Sequence, residues 1–161
     1  MRIEGTSTPA LIVEEEIFRA NAEKMKKLLC GKSLKLRPHY KSHKCAEIAH
    51  EQIENGAIGM TCAKLDEAID LCDSGIEDIL IANQIVDKKK VARLAALALD
   101  CHLTVCVDNE QNIRDIEDAA ALLGSTVHCL IEYEMLRTAM NGSAAFKHSD
   151  CVALIAETAL K

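Results

Sequence analysis

Residues 102–124 read HLTVCVDNEQNIRDIEDAAALLG, and this stretch sets the fold class. It opens with a short apolar run whose composition is typical of a strand that is covered on both faces. The run of residues 109–123 has a helical pattern, and Gly124 is of the residue type that most often comes just after a helix. The stretch therefore predicts one strand and the helix that follows it.

The same strand–helix unit recurs along the chain at a near-constant interval. Further strand-like segments begin near residues 34, 57, 79 and 126, so successive strands start 23, 22, 23 and 24 residues apart. Strands joined by helical crossovers run parallel, which predicts an α/β protein. A doubly wound sheet and a (β/α)8 TIM-type barrel both fit this pattern, and the even period favours the barrel. The other helical patterns span residues 46–53, 65–72, 88–99 and 149–160.

The length of the chain sets a limit on that barrel. A complete barrel needs eight units and about 250 residues, whereas this chain has 161 residues and about five units. An incomplete barrel leaves open strand edges, which invite pairing with another chain. We therefore expect residues 14–161 to form the N-terminal part of a barrel that is truncated before completion.

The N-terminal residues give a separate prediction. Residues 8–13, TPALIV, are typical of a short strand, and residues 14–16 follow it with an acidic helix start. Apolar residues then recur at helical spacing as far as Leu29, and Gly31 is expected to end this helix.

The composition excludes several classes of protein. With 49% hydrophobic and 27% charged residues, the chain can bury a core and is not disordered. A net charge of −6 and only 2% aromatic residues argue against a nucleic-acid partner, which needs a basic face and stacking rings. No run approaches the roughly 20 apolar residues of a membrane span, so we expect no membrane partner and a cytoplasmic protein. The eight cysteines are scattered without a CxxC pair, which favours free thiols over disulfides or a zinc site.

Residues 37–45, RPHYKSHKC, form the strongest candidate for a functional site. They follow the first predicted strand, and parallel α/β folds place their sites at the carboxyl ends of strands. A lysine that is partly removed from water there can act as a nucleophile through its amine. From the charge pattern alone, a solvated basic loop is the simpler interpretation. A metal site at His39 and His43 is less favoured, because their spacing suits a helix face and not an extended loop beside Pro38.

Three further segments accompany this one: GMTCAKLDEA at 59–68, DILIANQIV at 78–86 and VCVD at 105–108. Together with RPHYKSHKC they resemble the D-threonine aldolase and D-serine dehydratase family, whose signature is RPHxKxHK. Its members are fold-type III pyridoxal phosphate enzymes with an alanine racemase-like barrel. The resemblance extends to about Glu134, and it outweighs the interpretation as a basic loop.

The resemblance implies roles for individual residues. Lys41 is implied to hold pyridoxal 5'-phosphate as a Schiff base, and His39 and His43 to shape the pocket wall around it. Asn83 and Gln84 follow the third predicted strand and are expected near the same cofactor, although a simple turn accounts for this pair equally well.

Two parts of the family pattern are displaced or missing. The family has an arginine in a GxGRxG segment after the fifth strand, where it helps to hold the cofactor ring. This chain has Arg137 two positions earlier, and we expect it to take that place with a shift. The family's divalent metal (Mn, Mg or Zn) is held by a His and an Asp or Cys of a C-terminal β domain. Those ligands are absent from this sequence, and residues 1–13 are expected to supply a strand to that missing domain.

The activity implied by the resemblance is that of a pyridoxal phosphate-dependent lyase for β-hydroxy-D-amino acids. Such an enzyme cleaves its substrate, as D-threonine aldolase does, to glycine and an aldehyde. A D-serine dehydratase or an amino-acid racemase of the same fold is an alternative, and so is a non-catalytic cofactor-binding protein or an inactive fragment. A D-amino acid is the expected small-molecule partner, and a homodimer is the expected full-length form.

Overall fold

The structure, a computed structural model, describes Gly5 and residues 7–132. The chain divides into two units, Met1–Lys35 and Leu36–Lys161. The helix predicted at residues 149–160 lies outside the described residues. Among the helices that are described, none has the length and apolar character needed to cross a membrane.

The first unit contains the helix that the acidic start predicts. This helix, α1, spans Glu15–Leu29. Acidic side chains in its first turn, and Lys26 and Lys27 in its last turn, oppose the charges of the helix dipole. Gly31 follows with a φ of 74°, in the left-handed region that favours glycine after a helix. The predicted helix and its stop are both confirmed.

The strand predicted at residues 8–13 is not formed. A strand is defined by hydrogen bonds to a neighbouring strand, and within the described ranges this segment has no ladder partner. Leu11 is 97% exposed, so the apolar composition that suggested a strand is not used to cover a core here. That residues 1–13 serve a further β domain stays a prediction.

The second unit is a parallel sheet with helical crossovers. Its four strands are hydrogen-bonded in the order β1-β2-β3-β4, and each neighbouring pair is parallel. The predicted α/β class is confirmed, and the sequential parallel order is the one expected of part of a (β/α)8 barrel. The strands are β1 (Met60–Cys62), β2 (Asp78–Ile81), β3 (His102–Val107) and β4 (His128–Ile131), and the helices are α2 (Ala46–Glu54), α3 (Leu65–Asp73), α4 (Lys88–Leu97) and α5 (Glu110–Leu123).

The first predicted strand, beginning near residue 34, is reduced to two isolated parallel bridges. Leu36 pairs with Ala57, and His39 pairs with Thr61. Pro38 lies between the bridges and has no N–H to donate, so a continuous ladder cannot form through it. Its carbonyl oxygen still accepts a hydrogen bond of 2.7 Å from the Thr61 N–H, which keeps the segment beside β1.

The core of the second unit lies between the sheet and its helices. Apolar side chains from β1, β2, β3, α3, α4 and α5 form one buried cluster. Each large apolar side chain buried in this way contributes about 1.5–3 kcal/mol. Asn112 of α5 is also buried, and its Nδ2 donates to the Ile85 carbonyl oxygen at 2.8 Å, which fastens α5 to the loop after β2.

Polar side chains gather at the amino ends of the strands. We call Arg37, Asp78, His102 and His128 the amino-end cluster. Arg37 donates from Nη1 and Nη2 to the two carboxylate oxygens of Asp78, each at 3.0 Å. His102 Nδ1 lies 3.2 Å from Asp78 Oδ1, and the His102 ring stacks on His128 with 4.2 Å between centroids. Burial alone would raise the pKa of Asp78, but Arg37 and His102 outweigh it and lower this pKa.

Gly59, the residue before β1, makes room for the ion pair. A Cβ atom at this position would overlap with Arg37 Nη1 and with the carbonyl oxygen of Asp78. Only a residue without a side chain lets Arg37 pass this close to the backbone, so glycine is required here for packing.

Candidate active site

The carboxyl ends of the parallel strands lie along one edge of the sheet, which we call the rim. The loop of residues 39–45, here called the lysine loop, follows the first bridged segment. Other loops reach the rim after β1 and after β2, and Glu132 follows β4 there. The sequence places its candidates in two of these loops, since His39, Lys41 and His43 lie in the lysine loop and Asn83 and Gln84 follow β2.

Lys41 stands on a backbone that is fixed by short-range hydrogen bonds. It lies at the centre of one 3-10 turn, Tyr40–Ser42, and the Lys44 N–H donates to the Tyr40 carbonyl oxygen at 2.8 Å. The Lys41 N–H donates to His39 Nδ1 at 3.3 Å. The Lys41 side chain itself is exposed, so its amine is accessible at the rim while its backbone is held by the turn.

Both histidines of the lysine loop favour the neutral form. Burial lowers the pKa of His39, and the neighbouring Lys41 charge lowers it further against the opposing effect of Glu67. Burial also lowers the pKa of His43, whose ring meets Tyr40 edge-on at 5.4 Å and 86°. A neutral imidazole has one ring nitrogen that can accept a hydrogen bond, and in both rings this acceptor is Nδ1. The Lys41 N–H and the Cys45 N–H donate to these two atoms, each at 3.3 Å.

Helix α3 contacts the lysine loop through two carboxylates. Glu67 is 9% exposed, and its Oε1 lies 3.3 Å from Lys44 Nζ. The Asp70 carboxylate accepts a hydrogen bond from the buried Tyr40 hydroxyl. Burial raises the pKa of Tyr40, and the Asp70 contact raises it further, so the hydroxyl keeps its proton and remains a donor. The sequence analysis missed both carboxylates, although their spacing of three residues places them on one face of α3.

Asn83 and Gln84 take part in hydrogen bonds that run along the rim. Asn83 Nδ2 lies 3.5 Å from the Ala63 carbonyl oxygen of the loop after β1, a long contact. Asn83 Oδ1 accepts from the Gln84 N–H at 3.1 Å, which is the turn bond that the simpler interpretation predicts. The Gln84 side chain reaches farther, because its Nε2 donates to Glu132 Oε2 at 2.7 Å.

Glu132 is a second rim residue that the sequence analysis did not select. It is the first residue after β4, and Asn83 is the second after β2, so both lie at the carboxyl end of a strand. Its bond to Gln84 spans the end of β3 and joins the loop after β2 to the residue after β4.

The structure brings the predicted residues together only in part. His39 and Lys41 are hydrogen-bonded to each other, and Asn83 is bonded to Gln84. The bond between His39 and Lys41 stays within the lysine loop. The side chains of Asn83 and Gln84 instead bond to Ala63 after β1 and to Glu132 after β4. Arg137 lies outside the described residues.

The rim fits a carbonyl-bearing cofactor better than a metal ion. An exposed primary amine on a fixed turn, with the His39 imidazole bonded to the same turn, has the chemistry that an aldehyde cofactor such as pyridoxal phosphate requires. Within residues 7–132, no group of three or more His, Cys, Asp or Glu side chains has an arrangement that could hold a metal ion. The described residues therefore do not fit the metal that the resemblance implies.

The sheet is parallel, its strands alternate with helices, and the lysine loop follows its first bridged segment. These features place the chain in the (β/α)-barrel class, with its candidate site at the rim. The chain belongs to the family described as alanine racemase, N-terminal domain, which it matches over residues 13–157. Pyridoxal phosphate is the cofactor that this family implies. The resemblance drawn from the sequence is thereby confirmed.

Known relatives agree with this family. The chain is 38% identical over 128 residues to a D-threonine aldolase of Arthrobacter sp and 33% identical over 129 residues to a 3-hydroxy-D-aspartate aldolase of Paracoccus denitrificans. These matches cover 80% and 79% of this chain but only 34% and 33% of the relatives. The chain thus spans about a third of the length of the curated relatives it matches.

Solved structures give the same result. The D-threonine aldolase of Filomicrobium marinum is 42% identical and superimposes with a TM-score of 0.77, over 80% of this chain and 35% of that one. The D-threo-3-hydroxyaspartate dehydratase of Delftia sp. HT23 superimposes with a TM-score of 0.81 over 97% of this chain and 41% of that one. At 23% identity, the second likeness concerns the fold alone.

Proposed function

We propose that this chain carries the cofactor-bearing lysine of a pyridoxal phosphate-dependent lyase that acts on β-hydroxy-D-amino acids. The reaction is the cleavage of the Cα–Cβ bond to give glycine and an aldehyde. The observation that carries the proposal is the exposed Lys41 amine on its fixed turn at the rim. Support for the aldolase reaction comes from the two aldolases at 38% and 33% identity, against 31% for the D-serine dehydratase of Dictyostelium discoideum and 29% for the dehydratase of Delftia sp..

Each residue of the candidate site has its own role in this proposal. Lys41 holds the cofactor through Nζ, and neutral His39 fixes the Lys41 backbone by accepting its N–H. When bound, pyridoxal phosphate supplies an electron sink for the electron pair of the broken bond. Gln84 and Glu132 offer amide and carboxylate groups for the polar groups of a small amino acid. His43 forms part of the wall behind the lysine, and Arg137 is assigned to the cofactor ring.

The remaining features of the proposal concern the whole protein. We assign it a homodimeric state, a cytoplasmic location and a D-amino acid as its substrate. A divalent metal belongs to the proposal through the family resemblance alone, so no step of the reaction is derived through it.

The test compares arginine variants of two lysines. Lys41→Arg and Lys32→Arg both keep a positive charge, but arginine does not condense with an aldehyde, and the exposed Lys32 lies outside the lysine loop. After pyridoxal phosphate is added, we expect a visible absorbance band in the wild type and in Lys32→Arg, and none in Lys41→Arg. An equal band in Lys41→Arg would overturn the role of this lysine.

The products of D-threonine distinguish the reactions. Glycine with acetaldehyde is the result expected for an aldolase, whereas 2-oxobutanoate without glycine would mean a dehydratase. A cofactor band with neither product would restrict the function of this chain to cofactor binding.

A further inference from the structure

We propose that Glu67 and Asp70 of α3 are positioning residues, which hold the lysine loop on both sides of Lys41. The inference rests on the proposed function in one respect, because it takes Lys41 as the residue that meets the cofactor. It adds that α3, a helix outside the loop, determines where the Lys41 amine stands.

The first anchor is the hydrogen bond between Tyr40 and Asp70. Tyr40 directly precedes Lys41 and is 1% exposed, so its ring is fixed in the core. Its hydroxyl donates to the Asp70 carboxylate across 30 positions of sequence. A charge-assisted bond of this kind is stronger than one between neutral groups. The residue next to Lys41 is thereby attached to α3.

The second anchor is the contact of Glu67 with Lys44. One carboxylate oxygen of Glu67 lies 3.3 Å from Lys44 Nζ, and the other accepts from the Ala63 N–H at 2.9 Å. Burial would raise the pKa of Glu67, but the Ala63 N–H and the Lys44 ammonium outweigh it and lower this pKa. A single buried carboxylate therefore joins the lysine loop to the loop after β1. Lys44 itself has a φ of 48°, which shows how closely the chain turns at this point.

The two anchors together hold the lysine loop against one face of α3. Glu67 and Asp70 are three residues apart, so they lie on one face of α3. Their partners, Lys44 and Tyr40, enclose Lys41 within the same short loop. A reactive group whose supporting residues are held in this way needs less ordering when it binds, which raises affinity.

The test uses variants that remove one atom group at a time. Tyr40→Phe removes the donor, and Asp70→Ala removes the acceptor. Asp70→Asn keeps an oxygen that can accept the same hydrogen bond. Asp66→Asn is the matched control, because Asp66 lies on the same helix and contacts Arg93 instead of the lysine loop. The readout is the pyridoxal phosphate concentration that half-saturates the visible absorbance band, measured beside the thermal midpoint.

We expect Tyr40→Phe and Asp70→Ala each to raise the half-saturating concentration about fivefold, the effect of losing one hydrogen bond. The double variant should be no worse than either single variant, because both remove the same interaction. Asp70→Asn should fall between the wild type and Asp70→Ala, because its neutral oxygen accepts a weaker hydrogen bond, and Asp66→Asn should match the wild type. Wild-type affinity in Asp70→Ala, or additive losses in the double variant, would overturn the proposal.

A second measurement separates this inference from the proposed function. If the wild type forms no cofactor band, the proposed function fails, and hydrogen–deuterium exchange of residues 39–45 then decides the inference. Asp70→Ala should speed exchange at the Lys44 amide, which bonds to the Tyr40 carbonyl oxygen, while Asp66→Asn leaves it unchanged. Equal exchange in the wild type and Asp70→Ala would overturn the inference on its own.

Discussion

The two ends of the sheet treat their polar side chains in opposite ways. At the amino ends, Arg37 and Asp78 form a two-point ion pair at 3.0 Å, and their side chains are only 22% and 34% exposed. At the rim, the Lys41 side chain is exposed, and the Asn83 side-chain N–H donates across a long contact of 3.5 Å. The polar groups at the amino ends therefore stabilise the fold, whereas the Lys41 amine at the rim is accessible to a ligand.

Because of this difference, the residues that stabilise the fold and the residues that can bind a ligand lie at opposite ends of the same sheet. A part-buried ion pair such as Arg37–Asp78 cannot bind a ligand without breaking that pair. Groups at the carboxyl rim can bind a ligand because they are left accessible, and folds of this class place their catalytic residues there. Substitutions at the amino end should therefore change the free energy of unfolding, and those at the rim should change binding.

The largest expected effect is that of Gly59→Ala. The added methyl group would overlap with Arg37 Nη1 and the Asp78 carbonyl oxygen, so the pair must move. We expect the free energy of unfolding to fall by about 3 kcal/mol in urea titrations. The control is Gly75→Ala, where φ is +91° but nothing lies within 4 Å of the new atom, so only the backbone cost of about 1 kcal/mol applies. Equal losses in both variants would contradict the packing role of Gly59.

Arg37→Met should have the next largest effect. It leaves the half-buried Asp78 carboxylate without its main partner, which costs about 1–3 kcal/mol of unfolding free energy. Arg93→Met is the matched control, because Arg93 binds Asp66 at the same 3.0 Å but with side chains 54% and 74% exposed. Exposed pairs contribute about 0–1 kcal/mol, so this variant should change little. Similar losses of unfolding free energy in the two variants would show that burial does not strengthen the ion pair of Arg37 and Asp78.

A pH dependence of stability should follow from Asp78. Its folded-state pKa lies below the ordinary value, so its stabilising effect is complete above the unfolded-state pKa and is lost as the pH falls through the folded-state pKa. Unfolding free energies measured from about pH 6 to pH 3 should fall less steeply in Asp78→Asn than in the wild type. Parallel curves would mean that this carboxylate does not differ between the folded and unfolded states.

The smallest change in stability is expected for Gln84→Ala at the rim. Its unfolding free energy should stay within about 0.5 kcal/mol of the wild type, because the lost bond to Glu132 is exposed. Gln111→Ala, which loses an exposed bond to Asp115 on α5, is the control for stability. Only Gln84→Ala should weaken cofactor or substrate binding, by about threefold or more. Unchanged binding in Gln84→Ala would remove Gln84 from the site.

The sequence predicted the elements of this fold better than their contacts. The helices from α1 to α5 were located by local apolar spacing and glycine stops, which are properties of neighbouring residues. The first strand, predicted from about residue 34 to Arg37, was wrong as a continuous strand, because only Leu36 bridges to Ala57 there and the length of a ladder depends on a distant partner. Residues 8–13 form no strand here, because a strand needs a pairing partner and pairing is not a local property.

The site shows the same limit. The family pattern led to Lys41 and His39, which the structure joins by a hydrogen bond. The bonds from Tyr40 to Asp70 and from Gln84 to Glu132 cross 30 and 48 positions. No spacing in a single sequence indicates such pairs, since only the folded sheet brings their loops together.

The most direct measurement of the central claim is the location of the cofactor on the chain. Borohydride reduction after pyridoxal phosphate is added makes the attachment permanent, and peptide mass spectrometry then identifies the lysine that carries it. The account predicts a label concentrated on Lys41. A label spread evenly over exposed lysines such as Lys32 and Lys64, with no preference for Lys41, would contradict it.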